Sequence, residues 1–196
     1  MLWILLGCAA FALFFLYDIA GATGRLHGFR IGFAAGCLLL LFSTVGLVWQ
    51  GLHGRRTGWP VFILFGLLAL LFLALLVYTL FFALPFRDTY TGGTASPVLC
   101  RNGVYALCRH PGVLWLSGCY LCLYAALGTG ALLAAFAAFT LLDIAYVVLQ
   151  DRWSFPKQFP DYEDYRQSTP FLLPNSRSIR RCVRTWRRTG DGSHEV

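Results

Sequence analysis

Apolar residues run along this chain in five long stretches separated by short polar breaks. The stretches are Leu2–Ala20, Ile31–Trp49, Pro60–Leu84, Val113–Leu127 and Ala131–Leu149. A helix needs about 20 predominantly apolar residues to cross the hydrocarbon layer of a bilayer. The pattern therefore predicts an all-α, polytopic membrane bundle of about five transmembrane helices. The third stretch is long enough to cross with a tilt. The fourth, at about 15 residues, gives only roughly 22 Å of helix. It either spans with help from the Gly128-Thr129-Gly130 turn or forms a re-entrant hairpin with the fifth. Strands fit poorly, because an open sheet edge in lipid leaves backbone groups unsatisfied.

Composition agrees with the pattern. Of 196 residues, 58% are hydrophobic and 13% charged, against about 25% charged in ordinary soluble domains. The first stretch has no basic residue ahead of it and no small-x-small cleavage site behind it, so it reads as a retained helix and not a signal peptide. Too few residues precede Cys8 for a lipoprotein signal.

Loop charges set an expected orientation. With the N-terminus outside, Arg25, Arg30, Arg87, Arg101, Arg109 and the arginine-rich tail after Leu149 all fall on the cytoplasmic side. Only Arg55 and Arg56 fall outside. The lack of organelle targeting and the compact loops point to a bacterial inner membrane. The net charge of +7 then reports orientation and attraction to anionic headgroups, with no nucleic acid implied. Cysteines in apolar runs act as small hydrophobes. Cys119-x-x-Cys122 has redox spacing but lies inside a helix, where packing is the simpler role. The histidines His27, His53, His110 and His194 show no metal-ligand spacing.

The chain divides into a three-helix region (1–85), a motif-bearing region (86–174) and a basic tail (175–196). The middle region opens on a polar loop punctuated by Gly92, Gly93, Pro97 and Gly103 and enters the fourth helix at Pro111, where proline suits the first turn. In the tail, Ile179, Cys182, Val183 and Trp186 share one helical face among arginines. It is either a helix on the cytoplasmic membrane surface, held by anionic lipids, or an unstructured basic tail.

Three constellations could carry chemistry. Arg109 and His110 sit side by side before Pro111, at the mouth of a membrane helix. A planar cationic fork, a titratable imidazole and unpaired helix N–H groups make a receptor for a carboxylate, or an anchor to lipid headgroups. Asp143, Tyr146 and Gln150 share one face of the fifth helix, with Asp151 just beyond. A carboxylate within a membrane segment faces the bundle interior or water, so Asp143 could hold an amino group or pair with an arginine. Asp18, beside Tyr17, reads as an interfacial residue. Last, Trp153 to Tyr165 is dense in aromatics and broken by prolines. It is either a lid offering stacking faces or an interfacial belt.

Together these motifs resemble the membrane methyltransferase superfamily of isoprenylcysteine carboxyl methyltransferases and phospholipid methyltransferases. The likeness covers roughly residues 100–174. It rests on Gly103, Tyr105, Arg109, His110 and Pro111, then Gln150-Asp151, then Tyr162, Tyr165, Pro170 and Pro174. The resemblance implies a cytoplasm-facing S-adenosylmethionine site and a lipid-soluble or membrane-embedded methyl acceptor. It implies Arg109 and His110 as catalytic or cofactor residues. Tyr105, Pro111, Gln150, Asp151, Trp153, Phe159 and Tyr162 would bind or line the cofactor, Asp143 would supply the charge that the family's acidic pair lacks here, and no metal is required. Three departures stand out: family members carry two glutamates where this chain has Gln150-Asp151, an aromatic and a glycine often follow their Arg-His-Pro loop where this chain has Val113 and Trp115, and their Phe-Gly appears here as Phe159-Pro160, displaced by one. Two other functions share the likeness. One is a sterol-type reductase using a reduced nicotinamide. The other is a non-catalytic protein of the same fold that binds a lipid or a partner.

Overall fold

The computed structural model describes residues 1–24, 31–83 and 99–190, the last five by backbone alone. The expectations placed on Arg25, Arg30, His27, Arg87, Gly92, Gly93, Pro97, His194 and the side chain of Trp186 fall outside what it describes. The fold is all-α. Long helices are α1 (Leu2–Ala22), α2 (Gly32–His53), α3 (Trp59–Val77), α5 (Pro111–Leu127) and α6 (Gly130–Leu149). Short ones are α4 (Val104–Leu107), α7 (Phe155–Gln158) and α8 (Tyr162–Ser168), and α9 (Ser176–Gly190) closes the described chain.

Four helical spans are long and apolar enough to cross a membrane: Leu2–Ala22, Gly32–His53, Trp59–Phe82 and Gly130–Gln158. The fourth apolar stretch forms the shorter helix Pro111–Leu127. It nevertheless joins both ends of the bundle. At one end Arg56 N–H donates to the Leu127 carbonyl over 3.1 Å, and the Thr57 hydroxyl donates to the Ala126 carbonyl. At the other, Trp115 Nε1 donates to Thr79 Oγ1 over 3.0 Å. Gly128 ends α5 with a φ of 69°, a backbone conformation that glycine alone adopts at no steric cost. This turns the chain straight back into α6.

Small residues let the helices approach. Within lipid there is no hydrophobic drive between helices, so close packing must hold them. A Cβ on Gly7 of α1 would lie 2.0 Å from the Phe139 ring of α6, and one on Gly118 of α5 would lie 2.7 Å from Phe72 of α3. Gly36 and Gly46 of α2 receive Phe14 and Trp3 of α1 in the same way. The core gathers Phe11, Phe14, Leu47, Tyr120, Leu132 and Phe139. Cys119 and Cys122 are buried with Ala69 of α3 and are free thiols, so their role is packing.

Two of the spans end in wider, π-type turns. Ala83 N–H bonds the Tyr78 carbonyl, and Phe155 N–H bonds the Gln150 carbonyl, each five residues back. Such wide turns inside helices often mark functional sites. Both lie at the same end of the bundle, where the polar residues gather.

Candidate functional site

The site is built around one buried carboxylate. The wide turn Gln150–Ser154 swings Asp151 away from the lipid and into the protein, where it is 4% exposed. Its Oδ1 accepts from the Tyr162 hydroxyl at 2.7 Å and from His110 Nε2 at 3.4 Å. Arg109 Nε lies 3.0 Å from the same oxygen, and Arg166 Nε lies 3.9 Å from Oδ2. A buried carboxylate is tolerated only when paired and hydrogen-bonded, and here four side chains share that task.

Backbone bonds position the partners. Arg109 N–H donates to the Pro170 carbonyl over 2.9 Å, and His110 N–H to that of Phe171 over 3.3 Å. The loop before α5 is thus laced to the segment after α8. Arg109 Nη1 also donates to the Arg166 carbonyl at 3.0 Å. Tyr165 reaches back to the Tyr105 carbonyl at 2.7 Å, and the Tyr105 hydroxyl donates to the Thr79 carbonyl at the wide end of α3. Arg101 Nη2 ties the Asp161 carbonyl at 2.7 Å. From α9, Thr185 Oγ1 accepts from Gly103 N–H at 3.0 Å. Gly103 has a φ of 59°, which sets the entry to α4.

Aromatic rings wall the cluster. The His110 imidazole stacks on Phe155 at 5.9 Å and meets Phe171 edge-on at 5.2 Å. Arg109 Cζ lies 5.6 Å from the Phe171 ring centre. Burial holds the His110 imidazole below its ordinary pKa; the Asp151 carboxylate opposes this and the Arg109 cation adds to it. The ring is therefore neutral near pH 7. Donation from Nε2 to Asp151 leaves Nδ1 as an acceptor. Burial, with Asp151 alongside, pushes the Tyr162 phenol well above its usual range. Burial does the same to Tyr165 and lifts the Cys108 thiol to about 11, so none of the three ionises near neutrality.

One donor in the cluster is unsatisfied. Arg109 Nε is buried and has no hydrogen-bond partner among the described residues, although the Asp151 oxygen is near. Its N–H points off the line to that oxygen. Buried donors are nearly always paired, so this one is suited to an incoming acceptor.

The residues singled out from the sequence separate into two groups. Arg109, His110, Asp151 and Tyr162 meet directly. Tyr105 supports them through Tyr165, Pro111 is buried in the first turn of α5, and Phe159 packs its ring edge-on to Phe155 at 5.7 Å. Trp153 lies half-buried beneath the Lys157 ammonium, 4.1 Å away. Asp143 stands apart, about 12 Å along the helix from Asp151, with no hydrogen bond or ion pair among the described residues. Gln150 turns the other way: its Nε2 donates to Asp18 Oδ2 of α1 at 2.7 Å. Tyr146 and Gln150 do share a face, and that face is turned to α1. Asp18, read from sequence as interfacial, is 6% exposed. Arg166 and Phe171 join the cluster unforeseen, whereas Phe155 and Tyr165 lay in the aromatic segment read as a lid. Among the described residues no group of three or more His, Cys, Asp or Glu is placed to hold a metal ion.

The long apolar spans, closed at one end by this buried polar cluster, decide the class of the molecule. It is an integral membrane protein. Its sequence is similar to the nickel-cobalt-cadmium resistance protein NccN of Alcaligenes xylosoxydans xylosoxydans, at 27% identity over 92 residues. The match covers 43% of this chain and 40% of NccN, so the chain spans less than half the length of that relative. No family model matches the chain, and no solved structure matches it.

Proposed function

We propose that this protein is an S-adenosylmethionine-dependent methyltransferase acting on a lipid-soluble or membrane-embedded acceptor. The observation that carries the proposal is the buried Arg109–His110–Asp151–Tyr162 cluster at the mouth of α5, with its unsatisfied Arg109 Nε–H. That donor suits a carboxylate such as the one at the amino-acid end of S-adenosylmethionine. Phe155, Phe159 and Phe171 offer apolar and stacking faces beside it.

When bound, this cofactor supplies an already activated methyl group, so the protein needs mainly to align donor and acceptor and exclude water. Asp151 holds Arg109 and His110 in place. Phe155, Phe159 and Phe171 would exclude water from a cofactor bound beside them. An amine acceptor must lose a proton, and neutral His110 can take it at Nδ1; a carboxylate acceptor needs no base. The apolar spans support a membrane setting, and the distant NccN match leaves the acceptor open. The loop charges support a cytoplasmic site with the N-terminus outside, as in a bacterial inner membrane. The exposed Ile179 and Val183 on arginine-rich α9 support contact with anionic headgroups. Slower hydrogen exchange across α9 in anionic than in zwitterionic nanodiscs would bear this out, and equal exchange would refute it.

The test is transfer of labelled methyl from S-adenosylmethionine to a mixed lipid extract by protein in detergent. Label should enter the organic-soluble fraction with wild type and fall to background with Arg109→Ala. Label entering at the same rate without protein, or equally with the variant, would refute the proposal.

A further inference from the structure

The loop that carries Arg109 and His110 is gripped at both ends by the chain that runs into α9. Arg109 N–H and His110 N–H bond the carbonyls of Pro170 and Phe171. Just beyond, the Asn175 side chain accepts from Arg177 N–H and Ser178 N–H, an N-cap that starts α9. The helix then returns to the other end of the loop. Thr185 shares its hydroxyl proton between the Arg181 and Cys182 carbonyls of its own helix, and its oxygen accepts from Gly103 N–H at 3.0 Å. Arg181 Nη1 ties the Ser168 carbonyl at 3.3 Å. α9 packs chiefly against α4, the single turn between Gly103 and Cys108.

This docking divides α9 into three stripes. Ser178, Arg181, Cys182 and Thr185 share one helical face; Ser178 is buried and the others are half-buried. Cys182 thus leaves the apolar group that its spacing suggested. Ile179 and Val183 form a second stripe and are 48% and 50% exposed. Arg177, Arg180 and Arg184 are exposed beyond them. An apolar stripe bordered by arginines suits a helix lying in the headgroup layer, and anionic lipid attracts each such arginine. The face turned to the protein is polar and hydrogen-bonded, so α9 has one edge for the bilayer and another for the site.

We infer that α9 couples the charge of the membrane surface to the site. Anionic lipid at Arg177, Arg180 and Arg184 seats Ile179 and Val183 in the bilayer. Thr185 then holds Gly103 and, through α4, the loop that presents Arg109 and His110. Cofactor affinity therefore rises with the anionic content of the leaflet. That last step rests on the S-adenosylmethionine reading; the hold of α9 on α4 does not.

The experiment places the full chain in nanodiscs of phosphatidylcholine, with and without phosphatidylglycerol. Hydrogen exchange across Val104–Leu107 is read without ligand, and S-adenosylhomocysteine binding is measured by calorimetry. Anionic lipid should slow the exchange and tighten the binding by about fivefold or more, the low end of couplings between linked sites. Thr185→Val keeps the arginines and loses the bond to Gly103, so both effects should vanish. They should vanish as well when Arg177→Gln, Arg180→Gln and Arg184→Gln are combined, because α9 leaves the surface. Equal α4 exchange, or equal affinity, in the two nanodiscs would overturn the inference. Slowing that Thr185→Val retains would overturn it too, since the lipid would then reach α4 by another route. Slowed exchange with no S-adenosylhomocysteine binding by the wild type would uphold the hold of α9 on α4 and overturn the cofactor reading beneath it.

Discussion

Helix α3 and the cluster around Asp151 obey opposite rules. Across its span α3 buries Ala69 and little else, and Leu64, Leu67, Leu70 and Leu71 are each more than half exposed. Lipid tails are as apolar as leucine, so these side chains gain little from being covered. At the cluster, Arg109, His110, Asp151 and Tyr162 are all buried, and each satisfies another. Removing one leaves the rest uncompensated. The lipid-facing side of α3 accepts almost any apolar residue, while its Ala69 and Phe72 side is fitted to α5. The cluster accepts almost no change, and a protein keeps such a region when it has work for it.

The contrast can be broken at its strongest point first. Asp151→Ala strands the Arg109 guanidinium, whose side chain is 8% exposed, without its counter-charge. Breaking a buried pair in this way costs about 3–5 kcal/mol, so the thermal midpoint in detergent should drop sharply. A midpoint within error of wild type would mean water already reaches the cluster. Next comes Gly7→Ala, whose new methyl meets the fully buried Phe139 ring. Overpacking of this kind costs about 1–3 kcal/mol, and unchanged stability would show that α1 and α6 can part.

A third test is pH. Burial lowers the His110 pKa in the folded protein from its ordinary 6.5. The unfolded chain therefore takes up a proton that the folded one refuses, and stability falls as pH drops below about 6.5, by at most about 1.4 kcal/mol per unit. Above that pH this term is flat. A melting series from pH 7.5 to 5.5 should show the decline, and His110→Gln should show less of it; identical slopes would remove His110 as the cause. The smallest effect belongs to α3. Leu70→Ala should shift stability by less than about 0.5 kcal/mol, and a larger loss would mean that something other than lipid covers that face.

Much of the bundle was legible in the sequence because hydropathy is a local signal. Each span falls on an apolar run, and Pro60 and Pro111 sit in the first turns of α3 and α5. The adjacency of Arg109, His110 and Pro111 was also local. The partners of Asp151 were only partly so. A wide turn at Gln150–Ser154 changes the register, sending Gln150 to α1 and Asp151 to the loop, and hydropathy carries no trace of that. Asp18 and Gln150 meet across 132 positions of sequence. The face shared by Asp143, Tyr146 and Gln150 was legible, but which helix it meets depends on packing. Arg166 had no signal at all, since an arginine in a polar segment looks like any other.

The account stands on the claim that the Arg109–His110–Asp151–Tyr162 cluster binds S-adenosylmethionine. Calorimetry on the detergent-purified protein tests it most directly, with Arg109→Ala and His110→Ala alongside and melting curves to show that each variant is folded. Micromolar binding by the wild type, lost in both folded variants, is the predicted result. No binding by folded wild type, or binding that both variants retain, would contradict it.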